Sequence, residues 1–332
     1  MDVRGTGQDP PEDERPRVAV VIPCCRVVRE VGAVLRKIGP EVHRIYCVDD
    51  ACPEGSGDHV ERTVDDPRVQ VLRHEVNEGV GGATLTGFRE ARADGATILV
   101  KLDGDGQMDP ALLPRFLAPL LAGRADYAKG NRFYDPGSVR GMPLIRLLGN
   151  AVLSFVTKLA SGYWNVFDPT NGYVALHGAV FDRLPLERIS RGYFFESDLL
   201  FRLNTVQAVV EDVPMDAVYG DERSGLAPAR IGGEFLVKNA RNTVLRLLYG
   251  YYLRDFGAGS LELLLGSVLL GFGVVFGANR WMYSESTGTP VTAGTVMLAG
   301  LPVMLGLQLL LSFLAGDRRR LPVVPLHRRL LG

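Results

Sequence analysis

Apolar positions follow two rhythms along this chain. From Arg17 to Gly130, short β-prone blocks recur, each closed by Pro, Asp, Gly or Arg: Arg17–Pro23, Arg44–Asp50, Val69–Arg73, Ile98–Leu102 and Ala125–Gly130. These read as strands. Between them, Glu30–Ile38 carries Val31, Val34, Leu35 and Ile38 at helical spacing, and Gly57–Val64, Ala83–Ala93 and Pro110–Leu121 read as further helices. Asn77–Gly82 reads as a glycine-rich loop. Strands alternating with helices predict an α/β fold with a mostly parallel sheet covered on both faces.

The second rhythm begins near Gly259. Gly259–Ala278 is apolar except for Glu262, and Val291–Ala315 holds no charge. At ~1.5 Å per residue, each spans about 30 Å of hydrocarbon. They predict a C-terminal two-helix transmembrane hairpin joined by a loop over Asn279–Pro290. Basic residues flank it on both sides: Lys238, Arg241, Arg246 and Arg254 before, and Arg318, Arg319, Arg320, Arg328 and Arg329 after. The loop has only Arg280. The positive-inside rule then puts both termini and the α/β domain on the cytoplasmic side of a cell membrane. Met142–Leu159 and Phe235–Leu253 mix apolar, basic and aromatic positions. They read as helices that lie in the membrane interface or pack on the protein. The expected order is a disordered tail (1–16), a catalytic domain (17–233), a juxtamembrane amphipathic helix (234–256), the hairpin (257–316, with spans 259–278 and 291–315) and a basic cytoplasmic tail (317–332).

The net charge of −1 over 332 residues gives no electrostatic case for a nucleic-acid partner. The N-terminus lacks the apolar core of a signal peptide. The four cysteines, Cys24, Cys25, Cys47 and Cys52, show no CxxC spacing and fit reduced thiols. A homo-oligomer is left open.

The chemistry concentrates in Ile98–Pro110. An apolar strand containing one lysine stops at Asp103-Gly-Asp105-Gly-Gln107. Open α/β sheets place their ligands at such strand ends. Asp103 and Asp105, two apart, aim the same way in extended chain. Paired hard oxygens suit Mg²⁺ or Mn²⁺, although an Asp-Gly turn explains the pair equally well.

Taken in order, Pro23, Val48-Asp49-Asp50, Asn77–Gly82, the Asp103–Gln107 run, Gly130-Asn131-Arg132-Phe133, Asp168-Pro-Thr170-Asn171-Gly-Tyr173 and Phe194-Phe-Glu196-Ser-Asp198 form a set. The set resembles family 2 glycosyltransferases of the GT-A fold. Within them it is most similar to the polyprenyl-phosphate sugar transferases of dolichyl-phosphate mannose synthase and bactoprenol glucosyltransferase type. The resemblance implies transfer of a hexose, with inversion, from a GDP- or UDP-linked sugar to an undecaprenyl- or dolichyl-type phosphate at a lipid membrane, with Mg²⁺ or Mn²⁺. It gives Pro23, Asp49, Asp50, Asn77, Gly79, Asp103 and Asp105 to the donor, and Asp103, Asp105 and Gln107 to the metal. Arg132, Arg140, Arg146 and Arg223 go to the acceptor phosphate, and Asp168, Thr170 and Asn171 to the sugar. The catalytic set is Asp105, Arg132, Glu196 and Asp198. Two departures stand out. Val80 sits where many relatives carry a basic residue, and Cys24-Cys25-Arg26 replaces the usual aromatic-Asn-Glu. Two other readings are a transferase acting on a saccharide or glycolipid hydroxyl, with Glu196 or Asp198 as base, and an inactive membrane-anchored scaffold.

Overall fold

The computed structural model describes residues 16–134, 144–216 and 228–331. All of the expected tail but Pro16, together with Arg140 and Arg223, lies outside the described residues, as does the side chain of Arg146.

Seven strands form one sheet in the order β3-β2-β1-β4-β6-β5-β7. They are β1 (Val18–Cys24), β2 (Arg44–Asp49), β3 (Val69–Arg73), β4 (Ile98–Lys101), β5 (Tyr127–Asn131), β6 (Val174–His177) and β7 (Val210–Pro214). All pairings are parallel except those of β6, which runs antiparallel between β4 and β5. From β1 the chain moves outward to β2 and β3, then returns to lay β4 on the other side. The crevice between the C-terminal ends of β1 and β4 is therefore the topological switch point, where such sheets bind ligands.

One face of the sheet is covered by α1 (Val31–Arg36), α2 (Ser56–Thr63) and α4 (Leu113–Leu121), and the other by α3 (Val80–Ala93), α6 (Gly178–Phe181) and α7 (Phe195–Thr205). Val20 and Ile22 of β1 face the first layer, while Ala19 and Val21 face the second. Both faces being dry is why the strand reads as a continuous apolar run.

Helix α3 begins three residues before the sequence pattern indicates. Gly79, at φ +85°, precedes it, and Gly81 and Gly82 lie inside its first turn. A Cβ on Gly81 would sit 2.6 Å from the Ser190 carbonyl oxygen. These glycines serve close approach to the Ser190–Gly192 segment rather than loop flexibility.

Two long helices, α9 (Ala258–Thr287) and α10 (Ala293–Arg318), follow and are long and apolar enough to cross a membrane. They pack closely because Gly266, Gly273 and Gly306 line the seam; a Cβ on Gly306 would lie 2.5 Å from the Leu270 amide nitrogen. Most of the expected loop over Asn279–Pro290 is helical instead. Its polar residues accept a helix, and the first left-handed break is Gly288, at φ +67°.

Helices α5 (Leu144–Ser161) and α8 (Pro228–Leu248) pack against each other. They still leave Val152, Phe155, Val237, Val244 and Leu248 exposed. Arg246, counted above as a flanking charge, is buried: its guanidinium grips Asp317 at 2.7 and 3.0 Å. Trp164 and Tyr251 also donate to that carboxylate, at 2.8 and 2.7 Å. The hairpin is thereby fastened to the α/β domain. The last segment is fastened as well, since in α11 (Leu326–Leu331) His327 is buried and its amide and Nδ1 both meet the Asp126 carboxylate.

Candidate active site

The C-terminal ends of β2 and β4 carry the carboxylates expected from sequence, but the two pairs are held differently. Asp49 accepts from the Cys52 and Gly57 amides at 2.7 and 2.6 Å, which anchors the start of α2. Asp50 accepts from the Glu78 and Gly79 amides, both at 2.8 Å, and from His74 Nδ1 at 2.7 Å. His74 reaches on to Thr86 at 2.9 Å. Asn77 donates to the Asp50 carbonyl at 3.0 Å. Asp50 thus fixes the shape of the Asn77–Gly79 turn beside the switch point. His74 was not singled out from the sequence because a histidine after a strand carries no pattern of its own.

At β4 the partner of Asp103 is a cation. Lys101 is fully buried, and its ammonium donates to Asp103 at 2.6 Å and to the Gly172 carbonyl at 3.3 Å, and pairs with Glu196 at 3.1 Å. Burial alone would push its pKa down; the Asp103 and Glu196 carboxylates outweigh that and hold it above the usual lysine range. Asp103 keeps about a third of its side chain exposed (30 %). Asp105 accepts from the Gln107 amide at 3.0 Å, which shapes the turn.

Past β5, Arg132 forms a bidentate fork on Asp168, at 2.7 and 3.0 Å. Asp168 is buried, and the Arg132 side chain is one-third exposed (34 %). Although burial pushes Asp168 up, the Arg132 fork, with Lys129 and Asn171, holds its pKa below the usual carboxylate range. Asn171 donates to Asp168 at 3.1 Å and, through its carbonyl oxygen, accepts from the Tyr173 amide at 2.9 Å. Thr170 is exposed.

Lys129 is fully buried between these groups and donates to the Asn171 carbonyl. Burial draws its pKa down to about 8, against the pull of Glu196, Asp168 and Asp212. Asp212 accepts from Asn131 and the Phe167 amide at 3.1 and 3.0 Å, and burial pushes it up to about 6. Lys101, Lys129 and Asp212 were not assigned roles from sequence. A lysine inside an otherwise apolar strand was the available signal for the first two.

Asp198 stands apart from this cluster. Its oxygens accept from the Ser190 amide and from Asn242, both at 2.9 Å, joining α7 to α8 and to the segment that covers α3. Pro23 lies in β1, half-buried, one residue before its end.

Residues 19–184 match the Glycosyl transferase family 2 domain. Among curated proteins, the chain is 31% identical over 229 residues to an undecaprenyl-phosphate mannosyltransferase of Micrococcus luteus, covering 68% of this chain and 93% of that one. It is 33% identical over 217 residues to a polyprenol monophosphomannose synthase of Mycolicibacterium smegmatis, covering 63% and 80%. Among solved structures, glucosyl-3-phosphoglycerate synthase of Mycobacterium tuberculosis in complex with UDP superimposes with a TM-score of 0.54 at 17% identity, over 69% of this chain and 80% of that one. That similarity extends to the fold. The domain match spans the switch-point crevice, both carboxylate pairs and the Arg132–Asp168 fork. This chain belongs to Glycosyl transferase family 2 and is a glycosyltransferase.

Proposed function

We propose that the protein transfers a hexose from a nucleotide-diphospho-sugar to a polyprenyl phosphate at the cytoplasmic face of a membrane. One observation carries the choice of acceptor. The two carboxylates that could serve a hydroxyl acceptor as base are both engaged: Glu196 by Lys101, and Asp198 by the Ser190 amide and Asn242. A lipid phosphate is already an anion and needs no strong base; it needs cations that position it. Arg132 supplies a planar fork at the sheet edge, suited to phosphate oxygens as much as to Asp168. Relatives named for undecaprenyl phosphate and polyprenol acceptors support the same reading.

In this reading an oxygen of the lipid phosphate attacks the anomeric carbon from the face opposite the leaving group. The bond between that carbon and the nucleoside diphosphate breaks, and the configuration inverts. Asp50 holds the Asn77–Gly79 turn against the nucleotide. Asp103 and Asp105 follow β4 two residues apart, Asp103 keeps about a third of its side chain exposed (30 %), and their hard carboxylate oxygens suit Mg²⁺ or Mn²⁺, which takes its remaining ligands from water and phosphates. Gln107 lies beside them. When bound, such an ion would neutralise charge on the departing diphosphate. Lys101 keeps Asp103 and Glu196 in fixed positions beneath the crevice. Asp168 and Lys129 hold Arg132 and Asn171 in place beside it.

The exposed apolar residues of α5 and α8, continuous in sequence with exposed Tyr249, Leu253 and Phe256, support contact with a lipid surface. Basic residues outside the spans support a cytoplasmic catalytic domain.

The test supplies membranes with labelled GDP- and UDP-sugars together with polyprenyl phosphate or the matching polyprenol. Labelled lipid product from the phosphate alone is the expected result. Equal use of the polyprenol would overturn the acceptor assignment and return Glu196 to the role of candidate base.

A further inference from the structure

The Cys24-Cys25-Arg26 departure sits at the end of β1, directly opposite Cys52 after β2. Cys25 is exposed and Cys52 is half-buried. The Cys52 sulfur accepts from the Arg26 amide at 3.1 Å and lies 3.1 Å from the Ser56 hydroxyl, at the first residue of α2. The Cys52 sulfur thus sits against the backbone of the residue that follows Cys25, and the Cys25 sulfur lies 3.8 Å from the Asn77 side-chain nitrogen. Arg26 and Ala51, each the neighbour of one of these cysteines, are held at φ +61° and +51° although neither is glycine. Both loops are thus fixed in a conformation that costs free energy and that sets the two cysteine-bearing loops side by side.

Burial works against a charge on Cys52, but the Ser56 and Arg26 donors overcome it and lower its pKa. Burial raises Cys25, which favours its thiol form. One partner therefore suits the role of attacking thiolate and the other that of resolving thiol. The second pair, Cys24 and Cys47, differs: both are buried, the Cys24 thiol donates to the Ile22 carbonyl at 3.3 Å, and the neighbouring Cys47, burial and nearby charges raise Cys24 well above its ordinary value.

We propose that Cys25 and Cys52 form a peroxide-sensitive dithiol that closes the donor corner when oxidised. This rests on the reading that the Asn77–Gly79 turn holds the donor nucleotide. The Cys52 thiolate attacks hydrogen peroxide; an S–O bond forms, the O–O bond breaks, and hydroxide leaves. The Cys25 sulfur then attacks the Cys52 sulfenic acid. An S–S bond forms, the S–O bond breaks, and the Cys25 proton leaves with the hydroxide as water. The bridge draws Cys25 away from Asn77, whose amide braces the Asp50 carbonyl and hence the turn. A thiol reductant reverses it, as a disulfide in a reducing compartment requires.

The experiment treats the full-length protein in detergent with hydrogen peroxide. Peptide mapping without reductant should recover Cys25 joined to Cys52. Affinity for UDP or GDP should fall by roughly 10- to 100-fold, the ordinary size of coupling between two sites, and recover with dithiothreitol. Amide exchange over residues 74–82 should change with oxidation. In Cys25→Ser, a sulfenic-acid probe should label Cys52, and in Cys52→Ser neither the label nor the bridge should form. Bridging of Cys24 to Cys47 instead, or a Cys25–Cys52 bridge that leaves both amide exchange and nucleotide affinity unchanged, overturns the proposal. If the reduced protein binds neither nucleotide, the donor reading fails by itself, and the bridge together with amide exchange over 74–82 still decides the switch.

Discussion

The β2 corner and the β4–β5 edge both display carboxylates, and the two hold them by opposite means. At the β2 corner, among the described residues, Asp49 accepts from two backbone amides, and Asp50 from two amides and His74. At the β4–β5 edge, Asp103, Glu196 and Asp168 are each paired with a side-chain cation. Backbone amides cannot leave, so the first corner fixes a shape. Side-chain cations can share their bonds with a new anion, so the arrangement of the second region can respond to one. Substitutions at four positions test that contrast, from the largest expected effect to the smallest.

Asp105→Ala should remove nearly all transfer, and chelation of divalent ions should do the same to the parent. Several kcal/mol of charge stabilisation at the leaving diphosphate correspond to roughly a thousandfold or more in rate. Binding of Mn²⁺, read by electron paramagnetic resonance, should weaken in parallel. Full activity of the variant in saturating chelator would remove the metal from this edge.

Arg132→Ala strips the partner from a buried carboxylate and the fork from the acceptor side. Loss of one such contact costs about 2–5 kcal/mol, or some 30- to several-thousandfold in kcat/KM for the lipid phosphate. Arg132→Lys keeps the charge without the bidentate geometry and should recover part of the loss. Hydrolysis of the donor to free sugar should change far less. Equal losses in both reactions would mean that Arg132 serves the whole domain rather than the acceptor.

Asp50→Asn tests the backbone-held corner. The amide retains one acceptor oxygen, so one of the two turn contacts is weakened, at about 1.5–3 kcal/mol for a charged hydrogen bond. Donor KM should rise by roughly tenfold to a hundredfold, with lipid KM little changed. A change confined to the lipid KM would erase the distinction between the two regions.

Asp212→Asn should change transfer least, and its effect falls on stability and depends on pH. The folded-state pKa of Asp212 is about 6. An unfolded aspartate titrates near ~3.9. Between these values the folded protein binds more protons, so this group's stabilising contribution is fully present below the lower value. It is lost as pH rises through 6. The asparagine variant should match the parent near pH 4 and exceed it by up to about 3 kcal/mol well above pH 6, seen as a higher Tm. A constant difference across that range would mean that Asp212 is not strained by burial.

Much of this was legible in the sequence. Val69–Arg73 was placed to the residue, because a short apolar run between Pro67 and His74 admits little else. The acidic ends of β2 and β4 were legible too, since carboxylates closing apolar strands stand out. β6 and β7 were not recognised. Each has at most five residues, and β6 directly follows the Asp168–Gly172 motif, so its apolar run passed for the end of a loop. The catalytic set mixed residues of different placement. Glu196 joins Lys101, while Asp198, only two positions on, faces Ser190 and Asn242, because neighbours two apart on a helix point to different sides.

The sequence by itself determined the alternating α/β order, the two long apolar helices and the residue types at the strand ends. Hydrophobic periodicity and chain length are local properties and need no partner to be read. Only the tertiary structure decided which cation each carboxylate meets. Arg132 finds Asp168 across 36 positions, Arg246 finds Asp317 across 71, and Lys101 finds Glu196 from a different element altogether. A charge buried by folding must be paired where the fold leaves it, and no pattern along the chain records that distance.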